Sequence, residues 1–199
     1  MSLSDFSLEN KVALITGGTS GLGKMMALAL AKAGAFVWIA SSRDNADETL
    51  QEIKQQGSNG SFVQVDVTSS DALEKTVSHI LEQSSRIDIL INAAGINPRT
   101  SAEELTLNDW QKTIDINLTA PFYLSQLVAD TMRENNWGRI INIASLQSLR
   151  AFDNSIPYGA SKGGVMQLTR ALAQAYSKDG ILVNAIAVSY THLTLPTKA

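Results

Sequence analysis

Eight residues, Thr16–Gly23 (TGGTSGLG), restrict the fold more than any other stretch of the chain. They follow the apolar run KVALIT (Lys11 to Thr16) and open a segment in which Leu22, Met25, Met26, Ala29, Leu30 and Ala33 recur at helical spacing, with Gly34 as its stop. A strand that turns this quickly into a helix needs unusual backbone freedom, which Gly17, Gly21 and Gly23 supply. The free N–H groups and the dipole at the start of such a helix favour anions, so a diphosphate can approach Ser20, Gly21, Leu22 and Gly23. A tight turn without a ligand is the competing reading, and the rest of the chain weighs against it.

Further short runs rich in Val and Ile follow at regular intervals: AFVWIA (35–40), SFVQVDV (61–67), IDILINA (87–93), RIINIAS (139–145) and ILVNAIA (181–187). Segments of helical period separate them. Asp71 is placed to cap one whose stripe is Leu73, Val77, Ile80 and Leu81, and two longer helices are expected from Ala120 to about Glu134 and from Tyr158 to about Ser177. Apolar strands alternating with helices predict an α/β fold, a doubly wound parallel sheet with helices on both faces. No linker or repeat divides it, so residues 1–187 are read as one dinucleotide-binding and catalytic domain.

A net charge of −3 and the lack of a Lys/Arg stripe argue against a nucleic-acid partner. With no cysteine, thiol nucleophiles, thiolate zinc sites and disulfides are excluded. No apolar run reaches the length of a membrane span and no leader pattern opens the chain, so a cytoplasmic location is expected. His79 reads as a helix-surface residue and His192 lies far from it in sequence, so no metal is expected. Trp38, Trp110, Trp137 and the methionines near Met25 read as core or interface packing.

The glycine spacing, three residues between the first and second and one between the second and third, resembles that of the short-chain dehydrogenase/reductase family. The resemblance extends from about Leu8 to Ala187. It implies a Rossmann fold, an NADP or NAD cofactor, hydride transfer to or from a carbon bearing a hydroxyl or carbonyl, and assembly into a homodimer or homotetramer through the two long helices.

Tyr158 and Lys162, in PYGASKGG, are four residues apart, which on a helix places both side chains on one face. A phenol with a pKa near ~10 is a poor base at neutral pH, and a nearby ammonium favours its phenolate. Ser145 ends the fifth strand, where open parallel sheets bind ligands, and its hydroxyl can bond the same substrate oxygen. Asn117, in DINLTAPF, is the fourth catalytic member by resemblance, supporting a water that relays protons from the lysine. The resemblance makes Tyr158 the acid/base, Ser145 the polarising group, and Lys162 the residue that holds the ribose. A non-catalytic dinucleotide-binding protein is the alternative of another class; it would be expected to lack a member of this group, and none is missing.

By the same resemblance, Asp66 and Val67 contact adenine, and Asn92 to Gly95 (NAAG) corresponds to a cofactor-binding Asn-Asn-Ala-Gly element with one alanine replacement. At the end of the second strand Ser41 occupies the position of the usual ribose-binding acid, followed by Ser42 and Arg43. Hydroxyls and an arginine suit a 2′-phosphate, which favours NADP over NAD, although a solvated Arg43 or an Asp44 that meets the ribose is the competing arrangement. The stretches GINPR (95–99) and SLQS (145–148) are similar to sugar-acid dehydrogenases of the gluconate 5-dehydrogenase and 2-deoxygluconate 3-dehydrogenase type. Arg99 and Gln147 are the candidate substrate contacts, each with a solvated loop position as its alternative. A 3-oxoacyl-carrier-protein reductase is the second enzymatic reading.

After Ala187 the family's pattern leads into Pro-Gly, a substrate loop, a helix and a further strand, whereas this chain continues VSYTHLTLPTKA. One back-translation of Val188 to Thr197 reads as a transposon-derived sequencing adaptor. The expectation is that 188–199 are non-native, that the sixth strand is an open sheet edge, and that turnover by these 199 residues is weak.

Overall fold

The computed structural model describes residues 6–189. Six strands, β1 (Val12–Thr16), β2 (Phe36–Ser41), β3 (Gly60–Gln64), β4 (Ile89–Asn92), β5 (Gly138–Ser145) and β6 (Ile181–Val188), pair in parallel in the order β3-β2-β1-β4-β5-β6. The helices are α1 (Gly21–Lys32), α2 (Asp47–Gln55), α3 (Ser70–Ser84), α4 (Leu107–Ile114), α5 (Ala120–Glu134) and α6 (Ile156–Tyr176). This is the doubly wound Rossmann arrangement, and the change of direction in strand order falls between β1 and β4.

Side chains alternate across each strand, so β1 feeds two cores. Val12 and Leu14 join Leu73, Val77 and Ile80 of α3, Leu124 and Val128 of α5, and Leu172 of α6 on one face. Ala13 and Ile15 join Ala27 and Ala31 of α1 and Ile53 of α2 on the other. Both faces of the central strands are therefore buried, which is why they read as continuous apolar runs.

Three local expectations change. The buried stripe of α1 is Gly23, Ala27 and Ala31, while Met25 is 66% exposed and Ala29 lies outside. Small residues at four-residue intervals let the helix lie close on the sheet, and the bulkier apolar residues lie to either side. Ser69, rather than Asp71, caps α3, its hydroxyl accepting from the Ala72 amide at 3.3 Å; Asp71 sits in the first turn, where its charge complements the dipole. Asp66 and Val67 lie beyond β3, which stops at Gln64.

Helices α4 and α5 are joined without a loop by a π-helical turn, Asp115–Thr119, in which the Ala120 amide reaches back to the Asp115 carbonyl. Below the sheet, the buried Asp88 accepts from the Val12 amide at 2.9 Å and from both Nε and an Nη of Arg86, with Lys11 at 3.6 Å, tying β1 to the entry of β4. The sheet edge formed by β6 exposes Leu182 and Ile186, and the strand includes Val188, paired with Ser145. Residues 190–199, the bulk of the stretch expected to be non-native, lie outside the described residues. Among the described residues no helix is long and apolar enough to cross a membrane.

Candidate active site

The C-terminal ends of β1, β2, β4 and β5 open into a cleft of about 530 Å³. Its floor begins with the glycine turn. Gly17 and Gly21 adopt φ of +71° and +54°, a region that side chains rarely enter. A Cβ at Gly23 would lie 2.3 Å from the Gly17 carbonyl oxygen, so only glycine lets the start of α1 fold against the strand end. The side chain of Ser20, the N-cap residue, makes no capping hydrogen bond to α1, and Gly21, Leu22 and Gly23 line the cleft at the positive end of the helix.

Ser41, Ser42 and Arg43 line one end. Ser41 is buried, and its Oγ bonds Thr19 Oγ1 at 3.3 Å and accepts from the Arg43 amide at 3.2 Å, which fixes the loop that carries the guanidinium. Asp66 and Val67 line the same region. The Asp66 carboxylate accepts from both the amide and the hydroxyl of Thr68, and those bonds hold its pKa below the ordinary range. Asp66 is thus a turn residue that borders the cleft, with its carboxylate bonded to Thr68.

At the other end Tyr158 and Lys162 project from α6. Lys162 is 5% exposed; its ammonium donates to the Ile143 carbonyl at 2.6 Å and lies 5.6 Å from the centroid of the Tyr158 ring. Burial pushes its pKa down from 10.5 to about 8, so the cation persists at neutral pH at a cost to stability. Gly95 abuts this group, since a Cβ there would stand 3.3 Å from Asn117 Oδ1 and 3.8 Å from Lys162 Nζ.

Asn117 sits in the π-turn, fully buried. It accepts from the Ile96 amide and donates to the Ile96 carbonyl, both at 2.9 Å, and its second amide proton goes to Ser161 Oγ at 3.0 Å. Both protons are committed, so the side chain braces the β4–α4 loop against α6, and Ser161 in turn donates to the Tyr158 carbonyl. Ser145 Oγ accepts from the Gln147 amide at 3.1 Å, which leaves its own proton to donate to a ligand oxygen.

Five predicted residues do not line the cleft: Asn117 and Ser145, whose bonds are given above, and Asn92, Arg99 and Gln147. Asn92 is buried, donating to Asn142 Oδ1 at 2.8 Å; Asn142 continues to Thr169, so the Asn92 side chain links β4 and β5 to α6. Arg99 is exposed on the β4–α4 loop, which is pinned to the segment before α6 by the Thr100 amide on the Asn154 carbonyl and by Ser155 on Asn97. Gln147 is no solvated loop residue: it is 5% exposed, and its Oε1 has no hydrogen-bond partner among the described residues. Thr19, Ile96, Asn97 and Ile116 also line the cleft and were not singled out from sequence, because each borders it through tertiary proximity alone.

A family model described as short chain dehydrogenase matches residues 11–198. The 2-dehydro-3-deoxy-D-gluconate 5-dehydrogenase of Escherichia coli K12 is 37% identical over 191 residues, 96% of this chain and 75% of its own. A 3-oxoacyl-[acyl-carrier-protein] reductase of Synechocystis is 37% identical over 186 residues, 92% of this chain and 75% of its own. A gluconate 5-dehydrogenase from Burkholderia cenocepacia, crystallised with NADP and tartrate, superposes with a TM-score of 0.89 at 32% identity, covering 95% of this chain and 74% of that one. The chain spans about three quarters of the length of these relatives.

Proposed function

This chain belongs to the short-chain dehydrogenase/reductase family and is an NAD(P)-dependent oxidoreductase acting on a secondary alcohol or ketone, and from that premise we propose that its substrate is a polyhydroxy acid of the gluconate type, with NADP preferred. The observation that carries the substrate reading is the buried Oε1 of Gln147, which would stand 3.7 Å from a Cβ at Gly159, the residue after Tyr158. A buried amide oxygen without a donor costs about 1–3 kcal/mol until a donor meets it, and a substrate hydroxyl beside the reacting carbon meets that need where an acyl thioester would not. Arg99 supports the acid end of the reading as an exposed cation on the loop pinned to the start of α6.

The residues present fit a dinucleotide. Gly23 lets the start of α1 close against the Gly17 carbonyl, which a Cβ would strike, Gly21 leaves open space at the helix start for a diphosphate, Ser41 holds the loop of Arg43 toward a 2′-phosphate, and Gly95 leaves room beside Lys162. When bound, the nicotinamide supplies or takes the hydride. The chain's own residues handle the proton. Tyr158 exchanges it with the substrate oxygen, Ser145 donates a hydrogen bond to that oxygen, and the Lys162 cation beside the Tyr158 ring favours the phenolate. Asn117 keeps α6 and the β4–α4 loop in register, so any relay water it supports meets its backbone. We further propose a cytoplasmic location, in keeping with the cysteine-free sequence, and homo-oligomers joined through α5 and α6.

Keto acids of the gluconate type should oxidise NADPH in the presence of the protein, faster than acyl thioesters do. Tyr158→Phe should lower turnover by about 10²–10⁴-fold with NADPH affinity within about twofold. Retained turnover in that variant would refute the acid/base role, and preference for a 3-oxoacyl thioester would refute the substrate class.

A further inference from the structure

We propose that Ser148 is a positioning residue of the proton-transfer centre, its hydroxyl holding Ser145 in register with Lys162; this rests on the catalytic reading above. Ser148 ends the single 3₁₀ turn, Leu146–Ser148, that follows β5. Its Oγ donates to the Lys162 carbonyl at 2.7 Å and accepts from the Ser145 amide at 3.3 Å. One hydroxyl therefore joins the backbone of Ser145, which bonds the substrate oxygen, to that of Lys162, whose cation favours the Tyr158 phenolate.

The connection closes a ring. From Lys162 the side chain returns to β5 through Nζ on the Ile143 carbonyl, two residues before Ser145. The circuit runs from the Ser145 amide through Ser148 Oγ to the Lys162 backbone, along the lysine side chain to Ile143, and back through Ala144. Within it, neither the strand end nor the helix can shift without breaking a bond.

The same turn sets the direction of the catalytic hydroxyl. Ser145 Oγ accepts from the Gln147 amide, and Ser148 Oγ accepts from the Ser145 amide, a reciprocal capping box across three residues. If Ser148 loses its oxygen, the turn keeps one of its two reciprocal bonds and loses its hydrogen bond to the Lys162 carbonyl. The next residues, Leu149 and Arg150, are exposed. A displacement of about 1 Å in a reacting group can lower a rate by about 10²-fold.

The test compares Ser148→Ala and Ser148→Thr with the unsubstituted protein, using NADPH and a gluconate-type keto acid. In Ser148→Ala, kcat should fall about tenfold or more, with NADPH Kd and thermal midpoint little changed and a larger solvent deuterium isotope effect on kcat. Ser148→Thr, which keeps the hydroxyl, should recover most of kcat. An unchanged kcat in Ser148→Ala overturns the proposal. So does a loss of kcat that follows cofactor affinity and thermal midpoint downward and is not recovered by threonine, since that is a folding defect. Tyr158→Phe serves as the control: if it retains turnover, the catalytic reading has failed, whatever Ser148 shows.

Discussion

Replacing Lys162 by methionine should remove turnover and at the same time remove a pH dependence that the buried ammonium imposes on stability. The side chain is 5% exposed, and burial lowers its pKa from 10.5 to about 8. Below pH 8 both folded and unfolded chains hold the proton, and the folded chain bears the full cost of a desolvated cation. Between about 8 and 10.5 the folded chain has released a proton that the unfolded chain still binds, so stability rises with pH across that window. The gap between the two values corresponds to about 3 kcal/mol. Methionine fills similar space without a charge, so the variant lacks this rise, and titrating groups remote from Lys162 cancel when the two proteins are subtracted. Urea unfolding of the cofactor-free chains from pH 7 to 10.5 should show the unsubstituted protein gaining about 3 kcal/mol relative to Lys162→Met. Turnover at pH 7 should meanwhile fall by about 10²-fold or more, because the cation beside Tyr158 is gone. A constant stability difference across the whole range would refute the claim that the folded state desolvates this lysine.

Gly23→Ala places a Cβ 2.3 Å from the Gly17 carbonyl oxygen, a backbone atom that no rotamer change can move; NADPH affinity by fluorescence titration should fall about tenfold or more, and an unchanged Kd would refute the cradle. Ser41→Asp puts a carboxylate beside the loop of Arg43, so the ratio of NADPH to NADH affinity should drop by about 10-fold to 100-fold, while an unaltered ratio would overturn the NADP preference. Asp88→Ala leaves the Val12 amide and the Arg86 guanidinium without their acceptor and should cost about 3 kcal/mol in urea unfolding, with little change in NADPH affinity; a loss under about 1 kcal/mol would show that the network contributes little.

The parts of this molecule that could be read from sequence are those whose meaning fits within one or two turns of chain. The glycine loop carries its own geometry, and the central strands announce themselves because both faces are buried. Helical spacing puts Tyr158 and Lys162 on one face, with their roles taken from the family resemblance, and the helix from Ala120 to Glu134 has the expected ends. Helices α2 and α4 were given no bounds from sequence, because they bury little: Thr49 and Ile53 in one, Thr113 in the other. In α1, hydrophobicity pointed to the bulky residues, whereas closeness to the sheet selected Gly23, Ala27 and Ala31.

The rest of the site depends on contacts that local pattern does not encode. Lys162 meets Ile143 across 19 residues, Asn117 meets Ser161 across 44, and Asp88 meets Val12 across 76. Those distances close only once the strand order places β4 and β5 beside β1 and α6 over their ends. The π-turn at Asp115–Thr119 shows the limit most clearly, since nothing in DINLT marks a helix that gains a residue without breaking. Yet from that turn Asn117 spans both the Ile96 peptide and Ser161, and through Ser161 it reaches Tyr158. In the proposed mechanism the motif residues supply the chemistry. What fixes their mutual geometry is a set of polar side chains, Asn117, Ser148 and Ser161, each bonded to the backbone that bears a reacting group or borders it.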